Sequence, residues 1–70
     1  MFRWSELVGE ALLKGDMQQL ALCVLSHPAS KCLKRETAAD IFDWSLGVEP
    51  PVNGRKMLLT MAEAMLEDEI

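Results

Sequence analysis

The chain has 70 residues, half of them hydrophobic, with 7 basic and 11 acidic side chains and a formal net charge of −4. So short a chain holds one domain, residues 1–70, and domains of about 60 residues bury only about 60% of the surface their unfolded chains expose. High apolar content with modest charge excludes intrinsic disorder, and an acidic balance argues against a basic nucleic-acid binder. The body is too small for a deep catalytic cleft, and half its residues being apolar predicts surplus apolar surface.

The N-terminus, Met1-Phe2-Arg3-Trp4-Ser5-Glu6, runs into a charged amphipathic pattern, unlike the apolar region of a secretory signal. The longest apolar run, Leu20-Ala21-Leu22-Cys23-Val24-Leu25, has six residues, where a membrane span needs about 20. Two cysteines are too few for a secreted disulfide scaffold. The expectation is a cytoplasmic protein with reduced thiols and no membrane attachment.

In chain order, a first helix places Trp4, Leu7, Val8, Ala11 and Leu12 on one stripe of 3.6-residue period. Lys14 suits its negative end, and Gly15 supplies a left-handed stop. Asp16 opens a second helix, with Gln19 three residues on as in a capping box. Leu20 to Leu25 is apolar on every side, so this helix should be the buried one, and His27-Pro28 ends it. Pro28 suits the first position of a short third helix to about Lys34, with Ala29, Cys32 and Leu33 inward. Thr37 then caps a fourth helix carrying Ala38, Ile41, Phe42 and Leu46 inward, and Leu46-Gly47-Val48 closes it with Val48 folded back. Glu49-Pro50-Pro51-Val52 should be extended, Asn53-Gly54 reads as a turn, and a fifth helix runs from about Arg55 to Glu67 or beyond. Leu58, Met61, Ala62 and Met65 form its stripe, widened by Met57 and Leu66. Nothing alternates with period two. The fold class is all-α, a compact orthogonal bundle of four to five short helices without β-sheet.

Residues 1–56 are neutral, so the net charge comes from Glu63, Glu67, Asp68 and Glu69. An acidic cluster at a helix C-terminus opposes the macrodipole; it is either a solvated end or a rim that meets a basic surface. Lys31, Lys34 and Arg35 form a small basic counterpart, within the molecule or across a dimer. Met57, Met61 and Met65 recur at i, i+4 and i+8 on one helix face, as core, homodimer seam or adaptable partner groove. Trp4 and Trp44 are burial anchors, and Trp4, beside Phe2 at the chain end, is also a candidate interface anchor.

Cys23, His27 and Cys32 are legitimate zinc ligands, but their C-x3-H-x4-C spacing matches no zinc motif and lacks a fourth ligand. Cys23 sits in the most apolar segment, where burial raises a thiol pKa and quenches a nucleophile. There is no Gly-rich phosphate loop and no Ser-His-Asp set, so neither catalysis, nor a small-molecule substrate, nor a cofactor is expected.

The stretch from Thr37 to Val52, a helix ending in Leu46-Gly47-Val48 with a second helix after it, resembles DNA-binding helix-turn-helix proteins. The resemblance covers about 20 residues and implies a dimeric transcriptional regulator. The chain departs from the pattern at Asp43, where a small residue normally lets the helices approach, and at Pro50-Pro51 and Asn53-Gly54, which delay the second helix. That helix offers only Arg55 and Lys56 to phosphates before it turns acidic. The expected function is therefore a non-catalytic protein-interaction module, a regulator, inhibitor or adaptor, with a protein partner and self-association as a homodimer. Met57, Met61 and Met65 would give apolar contact, Glu63, Glu67 and Asp68 a charged rim, and Trp4 an anchor.

Overall fold

The computed structural model describes residues 3–68. Four α-helices follow one another, α1 (Trp4–Lys14), α2 (Met17–Ser26), α3 (Arg35–Ser45) and α4 (Val52–Asp68), with a 3-10 turn at Pro28–Cys32 between α2 and α3. No strand occurs among the described residues. The radius of gyration is 11.0 Å, as expected of a compact chain of this length at about 11 Å. No helix among the described residues is long and apolar enough to cross a membrane.

α1 forms on the expected stripe. Val8 and Ala11 are buried, Trp4, Leu7 and Leu12 pack against the core, and Gly15 (φ 68°) closes the helix in the left-handed conformation. Asp16 caps α2 by accepting the Gln19 backbone N–H at 3.1 Å. The second half of the capping box is absent, because the Gln19 side chain instead donates to the Leu7 carbonyl at 2.9 Å and ties α2 to α1. α2 lies at the centre and packs against α1, α3, α4 and the 3-10 turn. Leu20, Ala21, Cys23 and Val24 are buried, while Leu22 is half-exposed, so α2 is covered on most sides but not all.

The third predicted helix is only the 3-10 turn. His27 Nδ1 caps it by accepting the Ala29 N–H at 3.0 Å, and the Ser30 hydroxyl donates to the Leu25 carbonyl at 3.1 Å. Cys32 points outward rather than inward, because the turn stops there and the extended Leu33 packs on the core in its place.

α3 starts two residues before Thr37, after an extended Lys34 whose carbonyl accepts the Ala38 N–H. Its inward face is rotated from the sequence expectation: Ile41, Trp44 and Ser45 are buried, and Phe42 and Leu46 face outward. Trp44 decides this rotation. Its indole, only 6% exposed, takes the inward place against Gly54 of α4, where no side chain stands in its way. The helix ends at Gly47 (φ 109°), where the Val48 N–H donates to the Asp43 carbonyl and the Gly47 N–H to the Trp44 carbonyl. Those two bonds make a Schellman closure. Val48 closes the end with its amide, and its side chain stays exposed.

α4 begins at Val52, before the predicted start at Arg55, with the Arg55 N–H bonded to the Pro51 carbonyl. Asn53 and Gly54 are therefore in its first turn and not in a separate loop. Gly54 is buried against Trp44; a Cβ built there would stand 2.8 Å from the indole. Leu58, Ala62 and Met65 are the buried stripe of α4, at i, i+4 and i+7.

Candidate functional site

Six large apolar side chains are exposed among the described residues: Leu13 (88%), Val52 (69%), Leu46 (66%), Val48 (56%), Phe42 (55%) and Leu22 (49%). Four of them fall between positions 42 and 52, on the outer face of α3 and the corner that follows it. Phe42 and Leu46 are one helical turn apart and so share a face. This concentration follows from the Trp44 rotation, since turning the indole inward turns the next apolar stripe of α3 outward.

Beside that corner is a surface cleft of about 320 Å³, lined among others by Met17, Gln18, Trp44, Val48, Pro50 and Arg55. Its polar groups are tied within the chain. Gln18 donates to the Ser45 carbonyl at 3.1 Å, and Arg55 pairs with Glu49 at 2.6 Å. The cleft thus gives the apolar corner a shaped edge formed by the α1–α2 turn and the α3–α4 link.

The methionine positions separate. Met65 belongs to the buried core, and Met57 and Met61 are half-buried against it. Trp4 is also half-buried: its indole N–H donates to the Cys23 carbonyl at 2.7 Å, and its ring lies 4.8 Å from that of His27. Glu63, Glu67 and Asp68 are exposed along the last turns of α4 and form no ion pair with other described residues. Lys31 in the 3-10 turn and Lys34 and Arg35 at the start of α3 are exposed, likewise without an ion pair to a described residue. Phe2 and Glu69 lie outside the described residues.

Cys23 and Cys32 are both free thiols. Burial pushes the Cys23 thiol above its ordinary value, which suits a packing residue rather than a nucleophile. No group of three His, Cys, Asp or Glu side chains among the described residues is placed to hold a metal ion. In the stretch that resembles a helix-turn-helix, α3 and α4 pack chiefly on α2 rather than on each other, and Arg55 is engaged by Glu49.

The residues that sequence reasoning passed over are Phe42 and Leu46, which the hydrophobic period assigns to the interior, and Val48, which the Leu46-Gly47-Val48 stop folds back onto the helix end. The clue was Trp44, three residues beyond Ile41 and so on the same stripe. No family model, curated protein or solved structure matches the chain.

Proposed function

We propose that the protein is a non-catalytic protein-binding module, a regulator, inhibitor or adaptor, that engages a protein partner through the outward face of α3. The observation that carries this reading is the cluster of exposed apolar side chains at Phe42, Leu46, Val48 and Val52. A chain of this size could have kept those positions polar at no cost to its core, and contiguous exposed apolar surface marks contact sites. The Trp44-floored cleft beside them supplies the kind of pocket in which a partner's anchoring side chain is desolvated.

The acidic Glu63, Glu67 and Asp68 and the basic Lys31, Lys34 and Arg35 stand free to set orientation and speed encounter. Met57 and Met61, half-buried, and the exposed edge of Trp4, whose N–H is spent inside the chain, would offer a second apolar contact. We take the helices to pack orthogonally around α2 and the protein to act in the cytoplasm, where Cys23 and Cys32 stay reduced.

Affinity capture from the native host, with the intact chain and with Phe42→Glu as parallel baits, tests the reading. The intact chain is expected to retain a stoichiometric protein that Phe42→Glu loses, with affinity reduced by about thirtyfold or more, as for a central apolar anchor. Equal retention by both baits, with the variant folded by circular dichroism, would refute the assignment of this face.

A further inference from the structure

We draw no further inference here: the strongest candidate, the exposed apolar patch on the outer face of α3 with the cleft beside it, belongs to the binding face already described, and nothing in the structure shows what covers it.

Discussion

The contact between Trp44 and Gly54 gives a sharp test of the fold. An ideal Cβ at Gly54 would stand 2.8 Å from Trp44 Cη2 and Cζ2 and 3.1 Å from Pro51 Cδ. Carbon atoms pack best at about 3.5–4.0 Å, so Gly54→Ala must push the indole or α4 aside by about 0.7 Å or more. The ring is rigid and only 6% exposed. Overpacking of this kind costs about 1–3 kcal/mol, against a helix-propensity gain of at most about 1 kcal/mol for replacing Gly by Ala. That gain is diminished in the first turn of α4. The expected net destabilisation is about 1–2 kcal/mol, or a fall in Tm of roughly 5–15 °C for a domain this small. Gly9→Ala is the internal control. Gly9 lies in the middle of α1, exposed, with nothing within 4 Å of an added methyl, so the same chemical change there should raise Tm by about 4–8 °C. Thermal unfolding followed by circular dichroism reads both variants. If Gly54→Ala raises Tm as Gly9→Ala does, the tight seating of Trp44 on α4 is wrong.

Three further predictions concern the thiols and the core. Cys32 should react with an alkylating reagent at the rate of the unfolded chain, whereas Cys23 should be modified only on global unfolding. Because burial raises the Cys23 pKa above 9.0, the folded chain keeps that proton after the unfolded chain has released it. Its contribution is therefore complete below pH 9.0 and lost as pH climbs towards the folded value; a urea series should show this decline in the intact chain and not in Cys23→Ala. Met65→Ala should cost about 2–5 kcal/mol, and Met57→Ala, at a half-buried site, about 1 kcal/mol; the reverse order in urea denaturation would contradict the placement of Met65 inside.

The first two helices were legible in the sequence because local chemistry and hydrophobic period agree there. Gly15 and Asp16 stop one helix and start the next, and the stripe from Trp4 to Leu12 has no rival face. The second half of the chain was harder for a physical reason. α3 offers two adjacent stripes, one through Phe42 and Leu46 and one through Trp44, and both contain Ile41. Periodicity alone does not choose between them; the choice is made by the available space on α4, where a glycine leaves room for an indole. The same residue misled the reading of α4, because Asn53-Gly54 has turn chemistry in isolation. Its glycine is needed for the absence of a side chain, not for a left-handed backbone. The candidate surface was therefore hidden from sequence reasoning by one rotation of one helix, while the exposure of Glu63, Glu67 and Asp68 followed from their charge.

The central position of α2 has a consequence for how an event on the surface is felt inside. α3 is held to the rest of the chain principally through α2, by apolar packing and by the bond from Gln18 to the Ser45 carbonyl. α1 and α4 also rest on α2 and touch each other less. A force or an ordering imposed on α3 therefore reaches the far helices chiefly through α2, with the Trp44–Gly54 contact as the direct link to α4. Amide exchange in α2, remote from the contact itself, should be the most sensitive reporter of occupancy on α3.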